Sequence, residues 1–99
     1  MAVRYAFNPA YGSGQNLTAN ATSQSVTIPA GTKSIRITNT GATNPAQVRI
    51  GKGTQTATTA DLHIMPNTIE VFTKDQDDTT LAYISASGTT LNIILGEGM

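Results

Sequence analysis

There is no cysteine and no tryptophan in this chain of 99 residues. Without cysteine there is no disulfide frame, no thiolate nucleophile and no zinc–thiolate site. The absence leaves the compartment open and suits assembly in a reducing cytoplasm. Charge is also scarce. Lys+Arg is 6, Asp+Glu is 6, and charged residues make up 12% of the chain, against about 25% in an ordinary domain. The net charge of zero gives no electrostatic footprint for nucleic acid or an anionic membrane, and it favours association over colloidal solubility. Three Tyr and two Phe are the only aromatics. That is too few for the stacking platforms of sugar-binding modules, and no basic groove interleaves them as single-stranded nucleic acid requires. Nothing after Met1-Ala2-Val3-Arg4 is apolar for long enough to be a signal peptide, and no stretch approaches a membrane span. Two glycosylation-type sequons, at Asn16 and Asn20, are therefore read as chance matches in an Asn- and Thr-rich stretch.

The length favours one domain with a thin core, burying roughly 60–65% of the unfolded surface. The polar residues are mostly Thr, Asn, Ser and Gln, and threonine suits the outer face of a pleated sheet. From Ser25 onward the chain reads as short strands. Val26 and Ile28 alternate with polar neighbours before Pro29-Ala30-Gly31. Ile35 and Ile37 alternate with Arg36 and Thr38 before a loop from Asn39 to Pro45. Val48 and Ile50 alternate with Gln47 and Arg49 before Gly51-Lys52-Gly53. A Thr-rich piece (54–60), a short run (62–65) and a strand with Ile69 and Val71 follow. Residues 81–86 and 90–95 read as a closing hairpin, apolar on both faces through Ile84 and Ile94; such a strand is buried on both sides. Turn signals every 8–12 residues predict an all-β, single small antiparallel β-sandwich, jelly-roll-like, over 25–99. The expected core is Val26, Ile28, Ile35, Ile37, Val48, Ile50, Ile69, Val71, Tyr83, Leu91, Ile93 and Leu95.

Residues 1–24 differ. Val3, Tyr5 and Phe7 alternate with Arg4 and Ala6, and a turn-forming stretch through Tyr11 follows. The segment reads as an extended N-terminal arm on a flexible linker or as an edge strand plus loop.

Candidate chemistry is thin, and the reading is not an enzyme, with no catalytic residue, no cofactor and no metal. His63 is the sole histidine, with Asp61 two residues away on the same strand face; a surface histidine is the simpler account. Asp75-Gln76-Asp77-Asp78 is acidic enough to suggest calcium but lacks the glycine and distal Glu of a calcium loop. Gly51-Lys52-Gly53-Thr54 lacks the spacing of a phosphate loop. Glu70 and Glu97 would form a glycosidase pair only by accident of folding.

IPAGTKSIRITNTG (28–41), PAQVRIG (45–51), TATTAD (56–61), PNTIEVF (66–72) and LAYISASGTTLNIILGEG (81–98) together resemble small β-sandwich proteins encoded among the structural genes of tailed bacteriophages. The likeness covers about three-quarters of the chain, and members of that group resemble head decoration, or cement, proteins and other virion accessories. It implies a virion protein assembled in the host cytoplasm, with the major capsid protein or other virion proteins as partners. It also implies a homotrimer, since such proteins commonly sit at threefold positions. Tail, neck or fibre-base placement is the alternative, and a carbohydrate or host-surface module a more distant one. The expected partner contacts are Val3, Arg4, Tyr5, Phe7 and Tyr11 from the N-terminal segment, with Arg36 and Arg49 from the sheet. A hairpin placing Ile35 opposite Ile50 would set Arg36 beside Arg49 on one outer face.

Overall fold

Alternating apolar and polar residues build nine strands and no helix among residues 7–97, the part of the chain that the computed structural model describes. They are β1 (Asn8–Pro9), β2 (Gln15–Ala19), β3 (Gln24–Thr27), β4 (Ser34–Asn39), β5 (Ala46–Gly51), β6 (Leu62–Ile64), β7 (Ile69–Thr73), β8 (Thr80–Ile84) and β9 (Thr89–Glu97). Four antiparallel pairs are nested: β2 with β9, β3 with β8, β4 with β7 and β5 with β6. This is one long hairpin. Rolling it up adds β9 beside β4 and β8 beside β5. The result is a five-stranded sheet, β1 and β2 then β9-β4-β7, facing a four-stranded sheet β3-β8-β5-β6. That winding is the jelly roll, a β-sandwich of two antiparallel sheets.

The core lies between the sheets. Leu17, Ala19, Ile35, Ile37, Leu91, Ile93 and Leu95 come from one sheet, Ala46, Val48, Ile64, Leu81 and Tyr83 from the other, and Ile28 from the β3–β4 connection. Val26, Ile50 and Phe72 pack at its margin. Two expected core residues are not there. The register sets Ile37 opposite Glu70 and Ile35 opposite Phe72, so β7 turns Phe72 inward and Val71 outward, and Ile69 is 62% exposed. Alternation alone does not reveal which phase of an edge strand faces in.

Three other expectations are corrected. The closing hairpin is an arch: β8 and β9 are consecutive but lie in different sheets. Each is apolar because it is an interior strand of its own sheet. Residues 54–60 contain no strand. And the segment from Gly12 to Gln24 is no flexible linker, because β2 pairs over its full length with β9 and buries Leu17 and Ala19.

β1 and β2 are one edge line interrupted by a bulge. Pro9 pairs with Gly96 but Gln15 pairs with Ile93, so residues 10–14 span a gap meant for fewer. Ser13 holds the bulge shut. Its Oγ donates to the Ala10 carbonyl at 2.5 Å and accepts from the Leu95 amide at 3.1 Å. Gly12 turns the tip with φ at 92°.

At the other end of the barrel-like roll, Asn39 is fully buried. Its Nδ2 donates to the carbonyls of Asn44 and Ile64, both at 3.0 Å, while its Oδ1 accepts from the Gly41 amide at 3.0 Å and the Thr89 hydroxyl at 2.8 Å. One amide thus ties together the β4–β5 loop, the end of β6 and the start of β9. Gly41 has no room for a Cβ, which would run into the Thr89 side chain.

Candidate functional site

The two outer faces of the sandwich differ. On the four-stranded sheet, Ala82 and Gln47 point away from the core, yet Ala82 is fully buried and Gln47 is 5% exposed. The cover is the long connection from β5 to β6. It leaves Gly51 at one end of β5, where Gln55 packs against it, and crosses β8 so that the Ala57 amide donates to Ser23 Oγ at 2.8 Å just before β3. It then returns to β6. Asp61 fastens the return. Its Oδ1 accepts from Arg49 at 2.8 Å and its Oδ2 from the Thr58 amide at 2.8 Å. The Arg49 hydrogen bond, then the Thr58 amide, holds the Asp61 carboxyl below the usual carboxylate range. A carboxyl lowered in the fold stabilises above its unfolded value and ceases to as pH falls through the folded one. The Thr58 amide resonance should therefore shift upfield as the solution is acidified below the ordinary aspartate range. In Asp61→Asn it should stay put at every pH; two-dimensional amide NMR checks both.

The five-stranded sheet has no such cover among the described residues. Across its outer face the register aligns Ile94, Arg36 and Val71 in one row and Asn92, Thr38 and Ile69 in the next. Arg36 is half-buried. Its guanidinium lies 5.8 Å from the centre of the Phe7 ring, and its Nε is buried with no hydrogen-bond partner among the described residues. Phe7 packs onto Gly96, where a Cβ would lie 2.9 Å from the ring.

Arg36 and Arg49 are therefore not cross-strand neighbours. β4 and β5 belong to different sheets, and the two arginines stand on opposite outer faces. Arg49 is paired with Asp61 inside its own chain. Of the N-terminal contact residues, Val3, Arg4 and Tyr5 lie outside the described residues. Phe7 is placed against Arg36. Tyr11 stands at the tip of the Ser13-locked bulge, 86% exposed.

The residues weighed for chemistry are spread out. His63 Nδ1 lies 2.8 Å from the Asp61 backbone carbonyl, while the Asp61 carboxylate is turned to Arg49 and Thr58. Glu70 shares a row with Ile93, and Glu97 lies four residues on, about 13 Å along the sheet and two strands away. The acidic turn after β7 is organised around an ammonium. Lys74, 5% exposed, donates through Nζ to the carbonyls of Asp75 and Asp78, each at 3.0 Å. Asp78 accepts from the Asp75 amide at 3.0 Å. Lys33, Lys52 and Asp77 are the other charged residues lining a cleft of about 620 Å³ there, its charges balanced. Among the described residues no three His, Asp or Glu side chains come together in a metal-holding group.

Sequence reasoning does not reach Asn39, Lys74 and Ser13, which stand among turn-forming and polar residues. An asparagine two positions before a glycine that tolerates no Cβ was the one available signal. In comparisons with known proteins, no family model matches the chain and no curated protein matches it.

Proposed function

We propose that this protein is a bacteriophage structural protein, a capsid decoration or cement protein that strengthens contacts between capsid subunits. The observation that carries the reading is the outer face of the five-stranded sheet, which among the described residues no connection crosses and only Phe7 touches, and on which Ile94, Val71 and Ile69 surround an arginine with one buried nitrogen that has no partner among those residues. An apolar band with a single unmet donor is what an interface core offers to a carboxylate or carbonyl on a partner. The Thr- and Asn-rich surround is neutral, so covering it does not strand charges. The jelly roll is used by many virion proteins, and the resemblance in the strand motifs points the same way.

The work is mechanical. Each copy bridges neighbouring capsid subunits, with interfaces of about 800 Å² per partner being ordinary, and many weak bridges act together through avidity. The test uses shells of the encoding phage prepared without this protein. Added protein should bind saturably, and imaging should place it on the shell at threefold positions. Density on the tail or neck alone would transfer the reading to the alternative virion location. Glycan binding with no affinity for virion parts would overturn it.

A further inference from the structure

Residues 52–61, the connection from β5 to β6, cover Ala82 and Gln47, yet little fastens them down. The stretch contains no strand, and of its residues only Ala57 is buried. Gly51 and Gly53 flank its first residue, and Gly53 turns the chain with φ at 73°. The Gly51-Lys52-Gly53-Thr54 piece is thus the root of a strap rather than a phosphate loop.

Much of the strap's hydrogen bonding is internal and moves with it. Gln55 Nε2 donates to the Lys52 carbonyl at 3.0 Å, and the Asp61 amide to the Thr58 carbonyl at 3.1 Å. Among the described residues, the polar ties that cross to the sandwich are the Ala57 amide on Ser23 Oγ, the Arg49–Asp61 pair and the Lys52–Asp77 pair. The last is 3.9 Å long between exposed side chains and contributes little. Asp61 does more. One carboxylate holds the sheet through Arg49 and the bend of the strap through the Thr58 amide, each at 2.8 Å.

The surface beneath is not well served by this cover. Ala82 is fully buried there, and Ile84 lies opposite Gln47 on the same outer face. Gln47 is 5% exposed, and its Oε1 is buried with no hydrogen-bond partner. A buried amide oxygen without a donor is a cost of the closed state. Lifting the strap removes that cost by letting water in. Few buried apolar contacts and few anchoring bonds mark a segment that opens ahead of the fold.

We infer that residues 52–61 are a strap, hinged at Gly51–Gly53 and latched by Asp61, that lifts from the folded sandwich and uncovers the sheet around Ala82 and Gln47. Closed, the strap withholds this face from contact. Open, it bares Ala82 and Ile84 beside an amide oxygen that can accept a hydrogen bond. The inference concerns the chain's own equilibrium and does not rest on the proposed function.

The experiment exploits the absence of cysteine, which makes one introduced thiol a clean probe. Ala82 and Ala46 are both fully buried, the first under the strap and the second between the sheets. Ala82→Cys and Ala46→Cys are treated with excess iodoacetamide at neutral pH, each rate being divided by that of the same protein unfolded in urea. Urea curves supply each variant's global stability. Corrected for that stability, the thiol at 82 should react roughly a hundredfold faster than the thiol at 46. Adding Asp61→Ala should speed position 82 by about a further tenfold, and position 46 only as far as the lost stability accounts for. Amide hydrogen exchange needs no substitution. In the wild type the Ala57 amide should exchange far faster than the Ile28 amide, which is bonded to the Thr79 carbonyl at 2.8 Å. The Ala57 rate should be the same in Ala82→Cys, which shows that the probe has not propped the strap open. Equal protection at 82 and 46, equal acceleration of both by Asp61→Ala, or a wild-type Ala57 amide as protected as that of Ile28 would overturn the inference.

Discussion

Asn39→Asp should come close to unfolding the protein at neutral pH. The change removes the two Nδ2 donors to the Asn44 and Ile64 carbonyls and sets a carboxylate against those oxygens in a fully buried site. Only the Gly41 amide and the Thr89 hydroxyl would still donate to it. Two orphaned carbonyls and a desolvated charge should cost roughly 4–5 kcal/mol, a large part of the 5–15 kcal/mol that a domain this size has. The burial and the carbonyls raise the new carboxyl's folded value above its unfolded one. The penalty is then full above the folded value and shrinks as pH falls toward the unfolded one. Urea unfolding at pH 7 and near pH 4 should show the variant's deficit narrowing with acid. A deficit independent of pH would mean that the side chain has left the site. Asn39→Ala, which adds no charge, should lose less and show no such pH dependence.

The second large effect belongs to the core. Ile93 is fully buried and pairs across the sheet with Ile37 on one side and Gln15 on the other. It occupies the middle of the strand that carries the whole five-stranded sheet. Ile93→Ala should cost about 3–4 kcal/mol, since a thin sandwich has little with which to close the cavity. In a domain of this size that lowers the melting temperature by roughly 15–20 °C. Ile94→Ala, one residue on and facing outward, should move it by less, because its side chain is only partly buried. Similar losses at both positions would mean that the outer face is as tightly packed as the core.

How far the fold could be read ahead depended on which physical signal each part obeyed. Interior strands were legible because both neighbours and the opposite sheet demand strict alternation, as in Ser34–Asn39 and Leu91–Leu95. The phase of β7 is not legible because water accepts either face of an edge strand: alternation favours Ile69 and Val71, yet the inward phase is Glu70 and Phe72, with Glu70 left in water at the edge. Sheet membership was not legible for β8 and β9, or for Arg36 and Arg49, because a short Gly-containing connection serves a hairpin and an arch equally well. The strongest polar features arise from long-range contacts. Asn39 meets Thr89 fifty residues away, and no local pattern records that. Arg36 was singled out from the sequence by an argument about Arg49 that the topology removes. Under the proposed function it is a contact residue on different grounds: its buried Nε and the apolar row it shares with Ile94 and Val71.

The most direct test of the account is mechanical. Shells of the phage proposed to encode this protein, prepared without it, are heated with and without saturating amounts of it, and the temperature at which they release their contents is recorded. The account predicts a clear rise with wild-type protein and a smaller one with Arg36→Ala, whose own melting temperature should be nearly unchanged. A rupture temperature that saturating wild-type protein leaves unmoved would contradict it.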